Sequence, residues 1–256
     1  MGSNTKIEWC DSSGNLQMGC DGCELWNKKV RTCYSGILTN QYAGNKGWPD
    51  SFDKPKIFPE RVDTIIKWRS LVAKTRPNKP WLNGLPRVVF LNDMGDTFTE
   101  GLPIDWLSPF IDKLEKSPHI YLILTKRPKR MREFFGSLGY VPENFWLGTS
   151  ATDQATADIR IPELLKIPAK VRFLSCEPLL EEISLWQALP AGGHLLDIHW
   201  VIVGGESGTR KRAFNSNWAR NLRKQCLPLG IPFFMKQIDK VQPIPDDLMI
   251  REFPNA

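Results

Sequence analysis

Histidine is scarce, with only His119, His194 and His199 in 256 residues. All three fall in loops or at the starts of apolar runs. No H-E-x-x-H pattern and no Ser-His-Asp arrangement is present, so zincin and serine-hydrolase chemistry are poor expectations. Long hydrophobic runs are also missing: none approaches the roughly 20 residues needed to cross a bilayer. The opening MGSNTKIEWCDSS has neither the basic nor the apolar region of a secretory signal. A cytoplasmic chain with no membrane partner is expected. The 41% hydrophobic and 24% charged composition excludes collagen, coiled coil and extended disorder. A chain of this size can bury roughly 70 to 75% of its unfolded surface, so a core needs neither disulfides nor metal.

What is present begins with charge. Lysine and arginine exceed aspartate and glutamate by 34 − 28 = +6, with a pI near 9.0, which favours an anionic partner such as nucleic acid or a phosphorylated ligand.

Six short apolar runs follow an irregular first 55 residues: Pro86 to Asp93, His119 to Lys126, Asn144 to Ser150, Lys170 to Glu177, His199 to Glu206 and Ile231 to Gln237. They are continuous rather than alternating, as in parallel strands covered on both faces. Helix-like segments with Pro, Ser, Asn or Asp starts and Gly or Pro ends lie between them, over Pro59 to Thr75, Pro103 to Ser117, Lys129 to Gly139, Thr156 to Ile167 and Asn215 to Gly230. The expected architecture is a single α/β domain, a partial (β/α) barrel of about six parallel strands, with 1–55 as a cysteine-bearing N-terminal segment. A doubly wound open sheet is the alternative.

Each run ends in polar or small residues: Asn92-Asp93, Thr125-Lys126, Thr149-Ser150, Ser175-Cys176-Glu177, Gly204-Gly205-Glu206 and Lys236-Gln237. Sites in parallel α/β folds lie at the carboxyl ends of strands. Six such ends, carrying three carboxylates and two lysines, point to one active-site rim.

Four of the six cysteines lie in the first 33 residues, and nothing marks the chain as secreted, so metal or redox chemistry is the better reading. Cys20 and Cys23 form a C-x2-C pair, Cys33 follows, and Cys10 precedes them. Four thiolates would suit a structural zinc as well as a cluster. Three would leave one iron of a [4Fe–4S] cluster open to a substrate or cofactor.

The segments KIEWCDSS, MGCDGCELW, TCYSG, LNDMGDTF, LILTKRPKRM, NFWLGTSATD, RFLSCEPLL, WVIVGGESG and PFFMKQ together resemble a phage-associated radical-SAM-like family with a three-cysteine motif and no assigned activity. The likeness runs from Lys6 to Gln237. It implies a partial (β/α) barrel, an iron–sulfur cluster at its mouth and use of S-adenosylmethionine. Cys20, Cys23 and Cys33 would ligate three irons, and the cofactor's amino and carboxylate groups would chelate the fourth. The spacing C-x2-C-x9-C departs from the superfamily's C-x3-C-x2-C, although the longer loop can still return its thiolate to the same cluster. The resemblance also marks Gly204, Gly205 and Glu206 as a Gly-Gly-Glu cofactor motif. Asn92 and Asp93 fall where the methionyl amine is held, Asp93 being the better candidate.

Lys126 would meet anionic ligand groups, and Ser150 and Glu177 ribose or substrate hydroxyls. Cys176 offers a weak S–H bond for hydrogen-atom donation but suits core packing better, as does Cys226. Trp9, Trp26 and Trp48 lie near the cysteines and are candidates to stack a base. Arg210, Lys211, Arg212, Arg220, Arg223 and Lys224 suit phosphate contacts. The leading expectation is a radical-SAM enzyme with a nucleic-acid-linked substrate, in modification or repair, fed by an electron donor. The alternatives are a nucleic-acid-binding protein with a four-cysteine zinc site (Cys10, Cys20, Cys23, Cys33) and an iron–sulfur sensing or electron-transfer module.

Overall fold

The computed structural model describes residues 2–207 and 211–254. In chain order the regular elements are β1 (Ser12–Gly14), β2 (Gln17–Met18), α1 (Tyr34–Gln41), β3 (Lys56–Ile57), α2 (Arg61–Ile66), β4 (Arg87–Leu91), α3 (Ser108–Glu115) and β5 (His119–Thr125). They continue with α4 (Pro128–Leu138), β6 (Phe145–Ser150), α5 (Gln154–Leu165), β7 (Val171–Cys176), β8 (Trp200–Gly204), α6 (Ser216–Cys226) and β9 (Phe233–Gln237).

Seven strands pair in the order β1-β4-β5-β6-β7-β8-β9, all parallel, in a sheet curled into a half-barrel. The spatial order never reverses, so there is no switch point and the doubly wound alternative is excluded. The outer face carries Val89, Leu91, Tyr121, Ile123, Leu147, Val201 and Val203 against apolar stripes of α2 to α6. The inner face carries Val88, Phe90, Leu122, Trp146, Phe173, Trp200, Ile202 and Phe234. Both faces are apolar, which is why the runs do not alternate.

The concave floor is plugged rather than open. Trp9 and Cys10 enter it from the N-terminal segment, Leu82 from the segment before β4, and Phe253 packs from the far end. Lys79 Nζ donates to the carbonyls of Thr5, Ile7 and Cys10 at 2.8, 2.7 and 2.6 Å. Apolar bulk fills the floor, and the polar strand ends lie at the mouth, where the strands' carboxyl ends meet.

Six strands fall within the expected runs, but the sheet has a seventh. β1, Ser-Ser-Gly, lies in the segment expected to be irregular and pairs with β4 from Ser12 beside Val89 to Gly14 beside Leu91. Small residues are required there: a Cβ on Gly14 would come within 2.6 Å of Ile65. The helix expected over Pro59 to Thr75 covers only Arg61–Ile66; the Arg69 carbonyl beyond it accepts from Arg87 Nε. α4 matches its signals, with Pro128 in its first turn and Gly139 closing it at φ 84°. Among the described residues no helix is long and apolar enough to cross a membrane.

Two histidines make stability depend on pH. Burial, and then Arg87, lowers the pKa of His119; burial and Arg172 lower that of His199. His199 Nδ1 accepts from the Arg172 backbone N–H, which requires neutral imidazole at that atom. The unfolded chain binds protons at these rings near pH 6.5 while the folded chain resists, so stability falls as pH drops below that value. A melting temperature lower by several degrees at pH 5.5 than at pH 7.5 is expected, with a smaller drop in His119→Gln. An identical drop in that variant would remove His119 from the account.

Candidate functional site

Residues 19–55 leave the barrel between β2 and β3, which pair antiparallel as a short ribbon, and fold into a cap carrying Cys20, Cys23 and Cys33. The cap's centre is the buried Trp26, packed with Cys20, Phe52 and the half-buried Cys33. The Leu25 carbonyl accepts from the Cys33 N–H at 3.1 Å, and the Leu25 N–H points to Cys23 Sγ at 3.4 Å. Leu25 thus ties the turn at Cys23 to the backbone at Cys33, and the Trp26 indole packs in one cluster with Cys20 and Cys33.

Charge seats this cap on the mouth. Arg127, just past β5, donates to Asp21 at 2.5 Å, to the Gly22 carbonyl at 2.6 Å and to Asp96 at 3.0 Å, and lies 3.6 Å from Cys20 Sγ. Glu24, next to Cys23, takes Lys126 at 2.6 Å and Arg160 of α5 at 2.9 Å. Burial alone would raise the Glu24 carboxyl, but Arg160 and Lys126 outweigh it and hold the group at about 2. The clamp is therefore ionised throughout the physiological range.

Burial pushes the Cys20 thiol up to about 12, and the Asp96 carboxylate adds to this against the pull of Arg127. Cys33 is raised as well, first by burial. Without a ligand such thiols keep their protons at neutral pH, and binding a metal would expel them. Cys10 is elsewhere: it is 0% exposed in the barrel floor with Trp9 and Phe90, its thiol raised by burial. It is not part of the cap.

Below the cap the inward strand positions turn polar. The Ser35 and Tyr34 hydroxyls donate to the Asp93 carbonyl at 2.8 and 2.6 Å, and the Asp93 carboxylate accepts from Asn15 at 2.7 Å. Burial raises the Asp93 carboxyl. The Tyr34 phenol is held well above its ordinary value by burial of its hydroxyl end and by Asp93, with Cys33 and Glu177 adding to it. Glu177 is ion-paired to Lys236 of β9. The mouth thus gathers the cap, Tyr34, Asp93 and the Glu177/Lys236 pair.

The chain belongs to the DUF5131 family. The family's model, described as a protein of unknown function, matches residues 4–247 and so takes in the N-terminal part of the plug, the cap and every described strand of this DUF5131 chain. No curated protein and no solved structure shows significant similarity to it.

Several residues expected at the site have other work in the DUF5131 fold. The Asn92 amide is used up between the Gln17 N–H and Thr97. Lys126 faces the mouth but binds Glu24. Ser150 is buried, and its carbonyl accepts from Arg160. Glu206 is held by Arg212, and Gly205 lies so close to the Ile238 carbonyl that a Cβ would meet it at 2.2 Å. Those glycines allow close backbone packing; a Cβ on Gly204 would meet the Gln237 carbonyl and the Glu177 carboxylate at 3.4 Å each. Cys176 faces the outer, helix-covered core, on the opposite side of β7 from Glu177, so it cannot reach a molecule in the mouth. Trp9 and Trp26 are buried, and Trp48 leans on Tyr42.

The basic segment does not form one patch. Arg210 lies outside the described residues. Lys211 pairs with Asp239 at 2.8 Å and Arg212 with Glu206, while Arg220 grips Asp247 through two bonds of 2.7 and 3.0 Å. Arg223 donates to the Asp247 carbonyl, and Lys224 is exposed. A helix returning from the carboxyl end of one parallel strand to the start of the next runs away from the mouth, so Arg220, Arg223 and Lys224 descend the outside of the barrel.

Sequence reading missed Asn15, Asp21, Glu24, Tyr34, Ser35 and Arg160. For Asp21 and Glu24 a signal existed, since one lies inside the C-x2-C pair and the other directly follows it, as acids in a basic chain. For Arg160 and Asn15 none did, because their partners lie 136 and 78 residues away.

Proposed function

We propose that this chain is an iron–sulfur enzyme of the radical-SAM type acting on a nucleic-acid-linked substrate. The observation that carries the reading is that Cys20, Cys23 and Cys33 share one cap over the mouth of a parallel half-barrel while Cys10 is packed in the floor. Three thiols, with an arginine beside one of them, suit a cluster that leaves one iron to a cofactor. Among the described residues no three Cys, His, Asp or Glu side chains converge on a point suitable for a single metal ion.

When bound, a reduced [4Fe–4S] cluster supplies the electron that cleaves S-adenosylmethionine to methionine and a 5′-deoxyadenosyl radical. The chain's own residues do the rest. Arg127 offsets the negative charge of the thiolates, and Lys126, Arg160 and Arg127 fix the cap against the strand ends. Asp93 offers an acceptor to the amino group, and Phe90, Trp146 and Trp200 form the apolar floor beneath the mouth.

The test is anaerobic reconstitution followed by dithionite and S-adenosylmethionine. 5′-Deoxyadenosine and methionine in equal amounts are expected, slowly even without substrate. A loaded cluster that neither binds nor cleaves the cofactor would leave the sensing or electron-transfer reading ahead.

A further inference from the structure

Helix α1 carries its amphipathic pattern the wrong way round. Its inward residues are the small or polar Ser35, Gly36 and Thr39, because the helix lies flat on Trp26: a Cβ at Gly36 would come within 2.5 Å of that ring. Its outward residues are Tyr34, Ile37, Leu38 and, at the cap, Tyr42, exposed by 48%, 50%, 36% and 40%. That spacing places all four on one stripe.

The stripe has a basic border. The Asn27 side chain accepts from the Lys29 and Val30 N–H groups at 2.9 Å each, making a turn that leaves Lys28 and Lys29 in solvent. Arg31 stacks 4.4 Å over Trp26, the same indole that seats Gly36, so turn and helix are neighbours. Lys46 follows Tyr42 in the next turn. Among the described residues Lys28, Lys29 and Lys46 join none of the ion pairs, and Arg31 meets only the half-exposed Asp53, at 3.6 Å. The cations of the 211–223 segment, by contrast, are largely paired.

We propose that the α1 stripe and this border bind single-stranded nucleic acid and lead it to the mouth past Tyr34, whose hydroxyl already reaches Asp93. The inference rests on the nucleic-acid-linked substrate of the preceding reading and names the surface that recognises it. Exposed tyrosine rings, with cations outside the ion pairs in the turns before and after the helix, suit stacked bases and phosphates. The stripe is about 12 Å long and one helix, about 10 Å, wide; that matches a few nucleotides and gives on the order of 100 Å², against the roughly 800 Å² a partner protein usually covers on each side. Three or four phosphate contacts predict a slope of log K against log salt of about −2 to −3.

The experiment is fluorescence anisotropy of a labelled oligothymidylate and a duplex of equal length, on the full chain with and without its cluster. Single-strand binding with that slope is expected. Lys28→Glu with Lys29→Glu should weaken it at least tenfold and flatten the slope by about 1 or more. Tyr42→Ala should weaken it about tenfold with the slope unchanged, and Arg220→Glu with Arg223→Glu should stay within about twofold; circular dichroism confirms that each variant folds. No single-strand binding at low salt, or affinity unmoved by the lysine reversals, overturns the proposal. So does a self-association, seen by light scattering, that Ile37→Glu abolishes while oligonucleotide affinity is unchanged, since the stripe would then join copies of the chain. Cofactor cleavage without oligonucleotide binding sinks this inference alone; binding without cleavage by a loaded cluster sinks the enzyme reading alone.

Discussion

Alanine at Cys20, Cys23 or Cys33 is expected to abolish nearly all iron uptake on anaerobic reconstitution, against about four irons per chain for an intact [4Fe–4S] cluster. Cys10→Ala should keep it. In the proposed site each of the three cap thiols would supply one of three protein ligands, so losing one would leave two irons without a protein anchor. Cys10 is packed against Trp9 and Phe90 under the barrel, with its carbonyl tied to Lys79, and its thiol cannot reach the cap without unplugging the floor. Iron and sulfide analysis with the charge-transfer absorbance reads the result. Full iron in Cys33→Ala would sink the three-ligand site, and loss in Cys10→Ala would restore the four-thiolate alternative.

Arg76→Met is expected to cost about 3 to 5 kcal/mol of stability, which for a chain of this size lowers the melting temperature by roughly 10 °C. The guanidinium is buried with Asp11 at 2.7 and 3.1 Å and also donates to the carbonyls of Leu82, Leu85 and Pro86. Asp11 in turn accepts from the Val88 N–H at 2.8 Å. The pair itself need add little net stability, because desolvating two ions opposes their attraction. Breaking it is another matter, since a buried carboxylate and three carbonyls would be left without their donor. The loss falls on the junction that holds the floor plug to β4. Arg76→Lys should recover only part of it, because an ammonium cannot copy the five-donor fork. A shift below about 2 °C in Arg76→Met would show that water replaces the guanidinium at no great cost.

Much of the fold can be read along the chain. Val88 to Leu91, Ile120 to Ile123 and Val201 to Val203 are continuous apolar runs because both faces of a parallel sheet are covered, and the polar residues that follow them mark the mouth. β1 could not be found this way. Ser-Ser-Gly has no apolar signature, and its place beside β4 is set by the space that Ile65 and Leu91 leave. The cysteine cap was legible as a motif, but its seat was not. Lys126 read as a ligand-binding cation and Arg160 carried no signal, and only folding brings them, with Arg127, against Glu24 and Asp21.

The sequence by itself determined the parallel α/β architecture, the strand ends that form the rim and the three clustered cysteines, because apolar runs and close spacings are local properties of the chain. The tertiary structure decided which charges remain free. It paired Arg212 and Arg220 with carboxylates, spent Asn92 and Asp96 on backbone and loop contacts, sent Cys10 and Cys176 into separate cores, and left Lys28, Lys29 and the outward face of α1 open. An ion pair or a buried thiol is a property of two surfaces meeting, and residues up to 136 positions apart, as Glu24 and Arg160 are, carry no local mark of the meeting.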